Sequence, residues 1–185
     1  PAEVTSTEAA IRVAGDPARV GRAFAALRAF AAGLGHADMP PVAAVRVGDT
    51  EVEVLLASPA TVVPAGFDSD PDRRVFTTEA EITTTTLEGL AGDTTAPWPA
   101  IVAAGSVDDD LVLIDVEAAG VLTIDGPDAA DTVRRIAAEL ATSPASELIE
   151  LLVVGDELDI AGSERIRPVA TVEDALDALA SSGTS

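Results

Sequence analysis

Short apolar runs and helix-periodic stretches take turns along this chain, and that alternation confines it to a mixed α/β fold. The strongest run is 148–154, Leu-Ile-Glu-Leu-Leu-Val-Val, which reads as a strand covered on both faces inside a parallel sheet. Residues 121–125 and 166–170 read as further short strands. Between them Gly126-Pro127 opens a helix over about 128–142, with Val133, Ile136, Ala137 and Leu140 on its buried face. Thr171 caps a last helix, in which Val172, Ala175, Leu176 and Leu179 are expected to face inward. The three strands are therefore expected to share one largely parallel sheet in a βαβ-type lobe.

The N-terminal half reads differently. Asp16 caps a helix with Pro17 at its first position, and Val20, Phe24, Leu27 and Phe30 recur at helical spacing until Gly33 or Gly35 ends it. Residues 42–47 and 51–57 read as strands joined by a Gly48-Asp49 turn, with one face wet in the second. Residues 73–78 are a further strand returning to this hairpin. The Thr- and Gly-rich stretch 79–98 reads as a surface linker ending at Pro97-Trp98-Pro99, with Trp98 packing it onto the second lobe. Residues 100–107 and 111–116 form a hairpin across Asp108-Asp109-Asp110. The expected organisation is thus an N-terminal helix-plus-hairpin α+β lobe over 1–90 and an α/β lobe over 97–185.

Composition removes whole classes of function. In 185 residues there is no Cys and one His, His36, which excludes disulfides, thiol nucleophiles, Cys-ligated metals and multi-His metal centres. Lys is absent, so Schiff-base chemistry and a phosphate-binding Lys are excluded. The 48% hydrophobic share excludes wholesale disorder. With 32 acidic residues against 11 Arg, the net charge of −21 repels nucleic acid and anionic membrane. No stretch approaches the roughly 20 apolar residues of a membrane span. The three adjacent aspartates lack the alternating ligands, Gly and distal Glu of a calcium loop and read as an acidic turn. The chain starts at Pro1 and ends in Ser181-Ser-Gly-Thr-Ser185, which reads as a piece of a larger protein.

The junction Val121-Leu-Thr-Ile-Asp-Gly126-Pro-Asp-Ala-Ala-Asp131-Thr132-Val133 sits where a nucleotide-binding fold places its phosphate loop. With 112–120 before it, and Arg134 or Arg135, Thr142-Ser143-Pro144 and 148–154 after it, it resembles the motor-domain entry of FtsK/SpoIIIE-type and type VII secretion ATPases. The resemblance implies a degenerate phosphate-loop lobe, a pseudo-ATPase, because the chemistry is missing. Counting from Gly126, Asp131 stands for Gly, Thr132 for Lys and Val133 for the magnesium-binding hydroxyl. A carboxylate about 4 Å from a phosphate charge repels it by roughly 4 kcal/mol at an effective dielectric near 20. Asp156-Glu157, in a Walker-B-like place, reads as an ordinary strand-end loop.

A second resemblance covers nearly the whole chain. Pro41-Val-Ala-Ala-Val-Arg-Val-Gly-Asp49, Val54-Leu-Leu-Ala-Ser-Pro59, residues 113–122 and Ala138-Glu-Leu-Ala-Thr-Ser-Pro144 are similar to an interior region of large actinobacterial proteins. Those proteins combine membrane helices, a LysM module and a bacterial transcriptional activator domain. The resemblance implies a non-catalytic scaffold or signalling domain on the cytoplasmic side of a membrane-anchored protein. Its partners would be neighbouring domains, a neighbouring protein or a second copy, with no cofactor, no metal, and no direct contact with nucleic acid or membrane. The alternative is residual nucleotide or anion binding, without hydrolysis, at the Gly126 helix start, with Gly126, Asp131, Thr132 and Arg134 as its residues and the charges of Asp125, Asp128 and Asp131 opposing it. An enzyme would have to recruit His36, and no G-x-S-x-G elbow is present.

Overall fold

The computed structural model describes residues 16–35, 39–95, 97–143, 149–155 and 164–182. The chain divides into two compact units, Pro1–Val121 and Leu122–Ser185.

In the first unit, helix α1 (Pro17–Leu34) starts where the Asp16 carboxylate accepts the Ala18 amide at 2.9 Å, beside Pro17. It ends at Gly35, whose amide reaches the Ala31 carbonyl with φ at 75°, in the left-handed region that favours glycine. Six strands follow: β1 (Val42–Val47), β2 (Val52–Leu56), β3 (Phe67–Ser69), β4 (Val75–Thr78), β5 (Ile101–Val107) and β6 (Asp110–Asp115). They form one antiparallel sheet in the order β3-β4-β2-β1-β6-β5.

Period-two alternation sends Val45, Val47, Val52, Val54, Leu111 and Leu113 to one face, where all are buried. Arg46, Glu53 and Leu55 on the other face are half-buried. Leu27 and Phe30 of α1 complete the core. The Phe30 ring meets Phe76 and Phe67 edge-on, with centroids 4.9 and 5.3 Å apart, and Trp98 at a tilt, 6.3 Å away.

Three expectations change within this unit. The stretch 79–98 contains a helix, α2 (Thr84–Ala91), packed along α1. Thr83 caps it by accepting the Thr86 amide at 3.1 Å, and Leu87 and Ala91, one turn apart, are buried. Weak helix propensity in a Thr-rich run is overridden by that packing. The loop before β3 also comes close to this segment: a Cβ on Gly66 would lie 2.8 Å from Leu90 Cδ1 and 2.9 Å from Ile82 Cδ1. Trp98 is buried against Phe30 in the first core instead of serving the second lobe.

The 101–115 hairpin also belongs here, because β6 pairs with β1 through Ala44↔Ile114, Val45↔Leu113, Arg46↔Val112 and Val47↔Leu111. The division expected at 90–97 thus falls inside the first unit, whose sheet continues across it. At its end Asp115 accepts the Glu117 and Ala118 amides at 3.0 and 3.3 Å, turning the chain into a single helical turn, α3 (Val116–Ala119).

The second unit is smaller. Helix α4 (Ala129–Thr142) buries Ala137, Leu140 and Ala141, with Val133 and Ile136 half-buried. Strands β7 (Leu151–Val154) and β8 (Ile166–Val169) pair in parallel, in register Leu151↔Ile166 to Val154↔Val169. Helix α5 (Val172–Ser182) follows and packs on both strands. Thr171 and Asp174 form a reciprocal cap: Thr171 Oγ1 accepts the Asp174 amide at 3.1 Å, and Asp174 Oδ2 accepts the Thr171 amide at 3.0 Å.

Residues 121–125 are not a strand. Val121 donates to the Ala119 carbonyl at 2.8 Å in a turn through Gly120, and its side chain is 88% exposed. Five residues leaving a tight turn have no neighbouring strand to pair with, so their apolar content makes no ladder. Among the described residues, parallel pairing is confined to β7 and β8. The fold is mixed α/β: the strands expected as hairpins join in one antiparallel six-stranded sheet, and of the three segments expected to share a parallel sheet only 151–154 and 166–169 pair.

Candidate functional site

The four residues singled out at the phosphate-loop position gather at the start of α4. Gly126 has φ at 115° and donates its amide to Asp125 Oδ1 at 2.8 Å, while its carbonyl accepts the Ala129 amide at 3.2 Å. A Cβ there would meet nothing within 4 Å, so the positive φ alone accounts for the glycine. Asp128 takes the cap position, and its backbone carbonyl accepts the Thr132 amide at 3.0 Å, but its side chain makes no capping bond. Thr132 is half-buried.

Asp131, in the first turn, is exposed and accepts from Arg134 Nη1 at 2.5 Å. Arg135 pairs one turn on with Glu139 at 3.8 Å. A helix start carries partial positive charge and unpaired amides, which suits an anion. Here that end already holds Asp128 and Asp131, and the Arg that would assist a phosphate is engaged by Asp131. Residues 121–125 form no strand, so among the described residues none leads into the loop to aim it. What the four residues do together is start and brace a helix.

The acidic turn is explained by geometry. Asp108 and Asp109 both have positive φ, 52° and 68°, the signature of a two-residue hairpin turn that matches the strand twist. Asp110 Oδ2 accepts from Arg46 Nε at 2.7 Å, and the Asp109 carbonyl accepts from Arg19. Arg19 also pairs with Asp49, and Arg22 reaches the Asp49 and Ile82 carbonyls at 3.0 and 3.2 Å. The multi-donor guanidinium thereby ties α1 to two hairpin turns and to the entry of α2.

Among the described residues no cluster of His, Asp and Glu could hold a metal. Asp70 lies in the turn between β3 and β4. Its Oδ1 accepts the Val75 and Arg74 amides at 3.0 and 2.8 Å, and the Val75 bond leads in holding its carboxyl below the usual range. It closes the β3–β4 turn. His36 and Asp156-Glu157 lie outside the described residues.

Of the four α5 residues expected to face inward, Ala175 is half-buried, as is Ala178, while Val172, Leu176 and Leu179 are 63%, 59% and 60% exposed. That exposed stripe is the surface sequence reasoning missed. The helix carries two apolar stripes, a small half-buried one and a large one in solvent. The signal was present as Ala at i and i+3 beside Val and Leu at i, i+4 and i+7, but periodicity cannot say which stripe meets the sheet.

Compared with known proteins, the chain matches no family model, no curated protein and no solved structure. No described helix is long and apolar enough to cross a membrane.

Proposed function

We propose that this chain is a non-catalytic interaction module, a scaffold or signalling segment of a larger membrane-associated regulatory protein. The observation that carries the reading is where apolar surface is left uncovered. Leu122, Val154, Val172, Leu176 and Leu179 are all exposed in the second unit, against a described buried set of Ala137, Leu140, Ala141 and Val153. A unit that small is marginal alone, and uncovered apolar side chains on a folded unit mark a contact surface. A two-stranded parallel sheet also needs cover, since parallel strands are ordinarily packed on both faces.

The strong negative charge argues against DNA or anionic membrane as the direct partner and favours protein. The similarity to the interior of LysM- and activator-containing actinobacterial proteins supports a cytoplasmic place between membrane segments and the activator domain. The module would couple those parts. The phosphate-loop likeness of 121–133 would then be a sequence relic, because Asp131 both opposes an anion and occupies Arg134.

The test is capture of the neighbouring domains of the intact protein by this chain at low and high salt. Retention of one of them is expected, weakening with salt where that partner is basic. Tight binding to duplex DNA at physiological salt, or magnesium-dependent nucleotide turnover that tracks the protein through purification, would overturn the reading.

A further inference from the structure

The exposed stripe of α5 has a defined shape. Val172, Leu176 and Leu179 stand at i, i+4 and i+7, one above the other along about 10 Å of helix. This is the spacing by which a helical stripe engages a partner helix or groove. The half-buried residues of α5 are Ala175 and Ala178, and the helix lies against β7 and β8 while the ridge stays largely in solvent.

The charges beside the ridge select the partner. At 100° per residue Glu173 and Asp177 fall one turn apart on the flank next to Leu176. Asp174 is committed to the Thr171 cap, whereas no ion pair engages Glu173 or Asp177 among the described residues. α5 has no basic residue. A second copy packed ridge to ridge would bring both acidic flanks together in a chain of net charge −21, which disfavours self-association. An apolar stripe flanked by Lys or Arg satisfies both features at once.

We infer that the Val172–Leu176–Leu179 ridge of α5 is the docking site for a basic amphipathic helix, with Glu173 and Asp177 pairing its Lys or Arg residues. This rests on the interaction-module reading and adds the site and the chemistry of the partner.

The experiment uses the full chain and a labelled amphipathic peptide of about four turns, Leu on one face and Lys on the other, followed by fluorescence anisotropy at low and high salt. The same peptide with Glu for Lys is the charge control. The Lys peptide is expected to bind the wild type and to lose at least about tenfold, about 1.4 kcal/mol, with Leu176→Ser/Leu179→Ser. Glu173→Gln/Asp177→Asn should weaken it several-fold and flatten its salt dependence. Val62→Ser/Val63→Ser, at exposed positions of the first unit, should leave it unchanged.

Because the ridge is in solvent, the Leu variants should keep the wild-type melting curve, so lost binding cannot be lost folding. Three results overturn the inference: equal affinity of wild type and Leu176→Ser/Leu179→Ser, equal binding of the Glu peptide, or a dimer of the wild type that the Leu variants dissolve. Failure here, with neighbouring domains still captured by the Leu variants, would move the site but leave the module reading standing. Failure of capture by the wild type would remove the module reading itself.

Discussion

Arg46 on β1 and Asp110 at the start of β6 meet through a single hydrogen-bonded ion pair, Nε to Oδ2 at 2.7 Å. The pair fastens the 101–115 hairpin to the centre of the sheet, two residues from the point where Arg46 lies opposite Val112. It also packs beside Gly48, where a Cβ would lie 3.2 Å from Asp110 Oδ1. Hairpin joining and turn geometry are thus coupled through one carboxylate.

Both partners are partly solvated, so the pair contributes modestly. Arg46→Ala and Asp110→Ala should each destabilise the first unit, with a coupling of roughly 0.2–1 kcal/mol in a double-mutant cycle. Urea unfolding of the two single variants and the double variant measures it. Strictly additive losses would show that the two side chains are neighbours without interaction.

Phe30 should dominate the core. It is fully buried and touches three aromatic rings from three different segments. Phe30→Ala should cost about 3–5 kcal/mol, since the hole cannot be filled by a rigid sheet on one side and α2 nearby. Trp98, the sole Trp, lies 6.3 Å from Phe30 and provides the readout by fluorescence. A loss under about 1 kcal/mol would show that the cluster repacks.

Asp70 gives a pH dependence of known sign. Its folded carboxyl titrates below the ordinary value of 3.8, because it accepts the Val75 and Arg74 amides. A depressed folded value stabilises the protein above the unfolded value, and that stabilisation is lost as pH falls through the folded one. Asp70→Asn keeps an acceptor oxygen but cannot titrate. The stability gap between wild type and Asp70→Asn should therefore be widest near neutral pH and narrow below about 3.8, as followed by urea melts across the acid range. A gap independent of pH would remove Asp70 from the acid response.

Nucleotides should leave the protein unmoved. A ligand at 100 times its dissociation constant would add about 2.7 kcal/mol of stability. With ATP or GTP and magnesium we expect no change in melting temperature, and none after Arg134→Ala. A shift that Arg134→Ala abolishes would restore the α4 start as an anion site.

Local chemistry was legible wherever a few adjacent residues decide the outcome. Asp16-Pro17 starts α1, Asp108-Asp109 turns a hairpin, and Thr171 with Asp174 caps α5, because each contact closes within three residues of its origin. Alternation likewise marked β1, β2, β4, β5 and β6 as strands, since a buried face repeats every second residue.

Pairing was decided elsewhere. Nothing near residue 110 in the chain states that β6 will lie against β1, some 65 positions earlier, because that choice depends on which sheet edge is open when both are present. The same holds for 84–91, a Thr-rich stretch that becomes a helix when α1 covers Leu87 and Ala91, and for 121–125, a strand-like run left without a neighbour. On α5 the sequence determined that one helix would carry both a small and a large apolar stripe. Only the tertiary structure decided that Val172, Leu176 and Leu179 would stay in solvent while Ala175 and Ala178 are half-buried, since burial is settled by the surface a helix meets and not by its own periodicity.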